Sequence, residues 1–233
     1  MSIFDREEKY LRLLAEAPRT VRELSEKLFI SEPTVRRDIL VLKQKELISC
    51  SRGIVKLKVK YADQRIPLFI RELEYNESKK EIAIKAAQQI QDGYVLMLDA
   101  STTAQHLLPH LPLFKNILVI TNGARIALEA AAMGIKTICT GGEMTLESFS
   151  YVGADAENLL KHYNADIAFF SCRGITAEGL VTDNSIAENA MRRIMIQNSK
   201  KNFLLCDKNK FGQKYLNTLC HKNELSGIIS NMK

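Results

Sequence analysis

The sequence predicts the α/β class, with a small basic helical module followed by a larger domain on a mostly parallel sheet. Three observations carry this. Residues 1–60 hold 14 Lys+Arg against 9 Asp+Glu, a net +5 out of +6 for the whole chain. Apolar residues in that segment recur at helical spacing. From about residue 94 onward, short apolar runs alternate with helical stretches, as in a sheet with helices on both faces. The 233 residues, 46% of them apolar, suffice for one core and a small satellite. A charged fraction of 26% argues against wholesale disorder. Apolar runs such as 94–98 and 117–120 fall far short of the ~20 residues that span a bilayer. The first residues carry no apolar signal core, so a cytoplasmic protein without a membrane partner is expected. Five cysteines and four histidines lie at long spacings with no CxxC, which argues against structural zinc and a disulfide scaffold. No metal and no cofactor are expected.

Residues 6–16 place Tyr10, Leu11, Leu13 and Leu14 among charges, a short amphipathic helix stopped by Ala17-Pro18. Thr20-Val21-Arg22-Glu23 is a capping box that opens a second helix, with Val21, Leu24 and Leu28 on one face. After an apolar turn at Phe29-Ile30, Ser31 caps a third helix with Pro33 in its first turn. Val35, Ile39 and Leu42 face the core. Thr34, Arg36, Arg37 and Lys43 stay on or near the outer face. Two short helices across a tight turn, the second exposing Thr and Arg near its start, form a helix-turn-helix. Threonine can meet a thymine methyl or a phosphate, and arginine can fork onto a guanine edge or a phosphate. Ser51-Arg52-Gly53 then turns the chain into the alternating run Val55–Lys60, the second strand of a wing with lysines outside. Ser31, Thr34, Arg36, Arg37, Lys43 and Arg52 are the expected contacts to double-stranded DNA. The competing reading, a packing or dimerisation module, does not account for the basic excess and the wing.

The run Ile30-Ser31-Glu32-Pro33-Thr34-Val35-Arg36-Arg37-Asp38-Ile39 resembles the signature helix of the DeoR family of bacterial transcriptional regulators. The wing turn departs from the family's longer basic and glycine-rich form and keeps only Arg52-Gly53 before Ile54.

The expected organisation is a winged helix-turn-helix domain over 1–60, an ordered connecting arm over 61–76 and an effector-sensing domain over 77–233. A helix over 77–91 places Ile82, Ala83, Ala86, Ala87 and Ile90 on one face. Strands are expected at 94–98, 117–121, 137–140, 167–170, 202–206 and 227–230. Helices are expected at about 104–111, from 124 to about 133, and at 155–163 and 185–199. In such sheets ligands bind outside the carboxyl ends of the strands, and the polar and glycine residues gather there. Asp99-Ala100-Ser101-Thr102-Thr103 offers hydroxyls and N–H groups at a helix start, an anion site. Asn122, Gly141, Gly142, Gly153, Arg173, Gly174, Asp183, Glu188 and Lys210 add donors, acceptors and charge. Together they could hold a phosphate and sugar hydroxyls. No Walker A or GxGxxG motif is present.

The family resemblance extends through this half, with Asp99–Thr103, Thr121-Asn122, Gly141-Gly142-Glu143, Gly174-Ile175, Gly179-Leu180, Glu188 with Arg192-Arg193, and Asp207–Gly212 in order. It implies a domain similar to ribose-5-phosphate isomerase that recognises a phosphorylated sugar. The phosphate is then expected on Ser101, Thr102, Thr103 and Lys210, with Arg173 beside it. Asp99, Thr121, Asn122 and Glu188 are expected near the sugar. The function implied is a repressor of a sugar-metabolism operon, relieved by the sugar phosphate and working as a homodimer or homotetramer. An activator would share every residue. A phosphosugar isomerase or deaminase-like enzyme is the alternative, with Asp183 or Glu188 as its base.

Overall fold

A computed structural model describes residues 3–45, 47–58 and 76–232. The chain divides into two compact units, Met1–Glu74 and Tyr75–Lys233. The arm expected over 61–76 lies outside the described residues except for Asn76, which opens a helix.

In the first unit, α1 (Ile3–Glu16), α2 (Val21–Leu28) and α3 (Glu32–Gln44) close around Tyr10, Leu11, Leu24, Val35, Ile39 and Leu42. The capping box of α2 forms as its sequence requires: Glu23 N donates to Thr20 Oγ1, and Thr20 N donates to Glu23 Oε2. Phe29 ends α2 in the left-handed region at φ 55° and is almost wholly exposed. Ser31 has the N-cap backbone conformation, but its side chain makes no cap hydrogen bond. Its Oγ lies 2.9 Å from Thr34 Oγ1 instead. A short strand not expected from the sequence, β1 (Arg19–Thr20), pairs antiparallel with β3 (Ile54–Leu57), which pairs with β2 (Ile48–Ser51). Arg52 and Gly53 turn the hairpin at φ 49° and 77°, the two positive angles a tight hairpin turn needs. The wing strand ends at Leu57 rather than Lys60, and Val59 and Lys60 lie outside the described residues.

The second unit opens with α4 (Asn76–Ala87), β4 (Val95–Leu98), the single turn α5 (Thr102–Gln105) and a 3-10 stretch, Leu108–Leu113. Next come β5 (Leu118–Thr121), α6 (Ala124–Ala132), β6 (Lys136–Cys139), β7 (Glu143–Thr145), β8 (Ser150–Val152) and α7 (Ala154–Lys161). It continues through β9 (Ala165–Ser171), β10 (Gly174–Ile175), β11 (Leu180–Asp183), α8 (Ile186–Gln197) and β12 (Ser199–Leu205), then β13 (Asn217–His221) and β14 (Gly227–Ile229). Six of these strands form one wholly parallel sheet in the order β14-β12-β9-β4-β5-β6. Strand alternation feeds two cores: Leu96, Leu98 and Val119 enter one, and Met97, Ile120 and Ala168 the other.

The helix expected over 104–111 is corrected to one α-turn followed by 3-10 geometry. Pro109 has no N–H to continue the α ladder and Pro112 lies inside the 3-10 stretch. Helix α4 stops at Ala87 rather than 91, and β12 runs from Ser199 rather than 202. β10, β11 and β13 form an antiparallel sheet of their own, and β7 and β8 a hairpin, none of them expected. Among the described residues no helix is long and apolar enough to cross a membrane.

Candidate DNA-binding face and ligand site

The outer face of α3 is a row of solvated polar groups. Ser31, Arg36, Arg37, Lys43 and Arg52 are exposed and Thr34 is half-buried. Arg36 Nη2 lies 3.3 Å from Glu32 Oε2, an exposed i,i+4 pair worth little in water. Two residues along, Asp38 points the other way and is buried. It accepts from Arg6 Nε at 2.8 Å, Arg6 Nη2 at 3.1 Å and the Tyr10 hydroxyl at 3.2 Å. Burial first, and Asp38 second, push the Tyr10 pKa well up. Asp38 thus locks α3 onto α1.

In the second unit the strand order reverses between β4 and β9, the switch point where open α/β sheets leave a crevice. Asp99 follows β4 and is 2% exposed. Its Oδ1 accepts from Ser101 N at 3.2 Å and its Oδ2 from Ser171 N at 3.1 Å. Arg192, on α8, gathers the acids around it. Nε lies 2.9 Å from Asp99 Oδ2, Nη1 2.9 Å from Asp183 Oδ2 and Nη2 3.3 Å from Glu188 Oε2. Nη1 also donates to Asn189 Oδ1 at 3.0 Å. Burial opposes the guanidinium charge, yet Asp183, Asp99 and Glu188 outweigh it and raise the Arg192 pKa. Burial likewise works against ionised Asp183. Arg192, the Ser185 N–H, Arg173 and the Asn184 N–H overcome it and hold the carboxyl below its ordinary value.

Two other cations pair only loosely with carboxylates. Lys210 Nζ donates to Ser171 Oγ at 2.8 Å and lies 3.7 Å from Asp207 Oδ2; Arg173 Nε lies 3.7 Å from Asp183 Oδ1. Asn122, just past β5, donates from Nδ2 to Tyr151 O at 3.1 Å. Its buried Oδ1 has no hydrogen-bond partner in the described residues. An orphaned buried acceptor calls for a donor. Ser150 Oγ donates to Glu188 Oε1 at 2.9 Å, which ties the β7–β8 hairpin to the same network.

The family model described as "DeoR C terminal sensor domain" matches residues 74–232. The chain belongs to the DeoR family. A second model, "Bacterial regulatory protein, arsR family", matches residues 9–49, which contain α2 and α3 and most of α1. This DeoR-family chain is 34% identical over 213 residues to the HTH-type transcriptional regulator GolR of Listeria innocua, covering 90% of the chain and 83% of that protein. It is 31% identical over 221 residues to the L-fucose operon activator of Escherichia coli, covering 94% and 90%. It is 26% identical over 212 residues to the lactose phosphotransferase system repressor of Staphylococcus epidermidis, covering 90% and 84%. In solved structures, eIF2B delta from Chaetomium thermophilum shares the fold at TM-score 0.53 and 17% identity over 68% of this chain and 57% of that one. A ribose-5-phosphate isomerase in complex with phospho-erythronic acid aligns at TM-score 0.46 and 18% identity, over 60% and 56%. The protein is a helix-turn-helix transcriptional regulator with a DeoR sensor domain.

Of the residues expected at the DeoR-family ligand site, Asp99, Asp183 and Glu188 converge on Arg192, Arg173 lies beside Asp183, and Lys210 joins through Ser171. Ser101 Oγ is already engaged, accepting from Ala104 N at 3.1 Å. Thr102 and Thr103 are buried, and α5 is a single turn, so little helix dipole stands behind them. Thr121 Oγ1 accepts from Gly123 N at 2.9 Å and shapes the turn. Gly141 and Gly142 have φ of 62° and 104°, and Gly153 has 88° at the start of α7. Gly174 is a packing glycine, since a Cβ there would lie 2.6 Å from Gln213 O. Arg192 carried no assigned role in the sequence reading. The signal for it was the i,i+4 spacing from Glu188 along one helix face.

Proposed function

We propose that the chain represses a sugar-metabolism operon and releases it on binding a phosphorylated sugar at the carboxyl ends of the parallel strands. The observation that carries this reading is the division of labour among the three cations. Arg192 is saturated by carboxylates, whereas the carboxylate pairings of Lys210 and Arg173 are loose at 3.7 Å; Lys210 is held closely only by the neutral Ser171 hydroxyl, and both cations can turn to a phosphate. The orphaned Oδ1 of Asn122 accepts from a sugar hydroxyl. Two relatives carry sugar systems in their names, the L-fucose operon activator and the lactose phosphotransferase system repressor. Ser31, Thr34, Arg36, Arg37, Lys43 and Arg52 contact the operator. A homodimer or homotetramer meets an inverted repeat, because protein two-fold symmetry is mirrored in the DNA.

The protein is not an enzyme on this reading. Asp183, one of the two candidate bases, is tied to Arg192 and held below its ordinary value, which suits a binding site better than a proton-abstracting one. The test titrates the full chain calorimetrically with hexose, pentose and triose monophosphates, one at a time, and repeats the binder with Lys210→Ala. Affinity should fall about tenfold or more, the scale of a lost charge-assisted hydrogen bond. Operator affinity without ligand should stay as in wild type. Unchanged phosphosugar affinity removes Lys210 from the site, and turnover of the binder by the wild type would establish the enzyme instead.

A further inference from the structure

Two hydrogen-bonded struts run from the edges of the ligand site to one place, the first turn of α4. The first is His106. Its Nδ1 donates to the backbone oxygen of Thr102 at 2.7 Å, and its Nε2 lies 2.8 Å from the Asn76 side-chain amide, which completes a hydrogen bond to a neutral imidazole with its NH2 turned toward the ring. Thr102 stands between Ser101 and Thr103 as the first residue of α5, just after β4. The second is Asn231. Its Oδ1 accepts from Lys208 N at 2.9 Å, and its Nδ2 donates to Ser78 Oγ at 3.0 Å. Lys208 stands between Asp207 and Lys210, in the 3-10 turn Lys208–Lys210 that Asp207 caps through Asn209 N. Both struts grip the backbone of a short helical turn beside the site at one end and a side chain of α4 at the other. Each uses both polar ends of its side chain. Hydrogen bonds weaken steeply with distance and angle, so a small shift of either loop loads the helix start or breaks the strut.

Farther along α4 the helix is anchored. Lys85 Nζ donates to Ser230 O at 2.9 Å, and Ile82 and Ala86 are buried in the sheet core. Asn76 and Ser78 are only half-buried. The polypeptide that joins the sensor unit to the DNA-binding unit enters α4 at Asn76.

We propose that the first turn of α4 is the relay between ligand site and DNA-binding module, with His106 and Asn231 as its positioning residues. The relay rests on the placement of the ligand site given above. Neither residue is asked to touch the ligand. Each converts the position of a site loop into the position of the helix from which the connecting segment departs.

The test follows amide hydrogen exchange of residues 76–80 in the full chain, with inorganic phosphate as the probe. In wild type, phosphate should slow exchange there by about fivefold or more, the lower range of allosteric coupling. His106→Ala and Asn231→Ala should each cut that response while phosphate affinity changes by less than about threefold. A purely structural role would weaken folding or affinity without separating binding from response. Both variants keeping the full response at 76–80 overturns the relay. If phosphate does not bind wild type, the phosphate reading of the site fails, and a ligand-free arm decides the relay. Asp207→Ala, which uncaps the turn that holds Lys208, should then speed exchange at 76–80 in the wild-type background and not in Asn231→Ala. Equal acceleration in both backgrounds overturns it.

Discussion

Arg36, Arg37 and Arg192 carry the same group and do opposite work because of what surrounds each. Arg192 is buried among Asp99, Asp183 and Glu188, so removing it strands three acids in a desolvated site. Arg36 and Arg37 are exposed on α3, and among the described residues Arg36 has only the weak Glu32 pair to give up. Arg36→Ala and Arg37→Ala should each weaken operator binding by about 1–3 kcal/mol. The melting temperature should stay within about 1 °C of wild type, since exposed changes cost little. Gel-shift titration at fixed salt beside a thermal melt reads both, and unchanged affinity in both variants removes α3 from the groove. Asp183 makes a residue-scale prediction in pH. Its native pKa is depressed, so its ionised form stabilises the fold fully at pH values above the unfolded carboxyl's, about 4. That contribution is lost as the pH falls through the native value, because the unfolded chain takes up the proton first. Asp183→Asn should therefore flatten the acid limb of the stability curve below about pH 4, measured by urea unfolding. An acid limb as steep as wild type's contradicts the assignment.

At the scale of elements, the sequence reads well where a pattern is local and less well where it depends on distant partners. β4, β5, β9 and the second half of β12 are apolar runs because both of their faces are covered, and they were visible as such. β7, β8, β10, β11 and β13 are short strands whose pairing is decided by chain elsewhere, so their composition did not mark them. Leu107, Leu108 and Leu111 imitate a helical stripe, but Pro109 and Pro112 turn it to 3-10 geometry while the leucines still fill the core. In the site, the residues after strand ends could be named from polarity alone. Arg192 could not, because an arginine inside an amphipathic helix looks solvated until the fold sets three acids about it. The loop after β6 gives the element-scale prediction. Gly142 has φ 104°, and a Cβ would lie 2.8 Å from Val152 O; Gly141 has φ 62° with open space around its would-be Cβ. Gly142→Ala should cost about 2 kcal/mol or more, combining left-handed strain with a backbone clash, and Gly141→Ala about 1 kcal/mol. Equal denaturation midpoints for the two variants would show that the loop yields to the clash.

On the scale of the whole molecule, each unit has a core of its own among the described residues. The first is built from Tyr10, Leu24, Val35, Ile39 and Val55, the others from residues Ile82 onward. Each has its own polar lock: Arg6–Asp38 in the first, Arg192 with its three acids in the second. Cooperativity follows shared burial, so calorimetry of the full chain should resolve two transitions. Asp38→Ala leaves Arg6 without its buried partner and should lower only one of them. A loss of about 3 kcal/mol in a domain this small corresponds to roughly 10 °C or more. Arg192→Met should lower only the other, by roughly 10 °C, because two buried carboxylates and the half-buried Glu188 lose their common cation. Operator DNA supplies the assignment without mutation. It binds the folded first unit and should raise the transition that Asp38→Ala lowers, in proportion to the logarithm of DNA concentration. A single transition that both substitutions shift alike would mean that the units unfold as one, and the two locks would then stabilise one common structure.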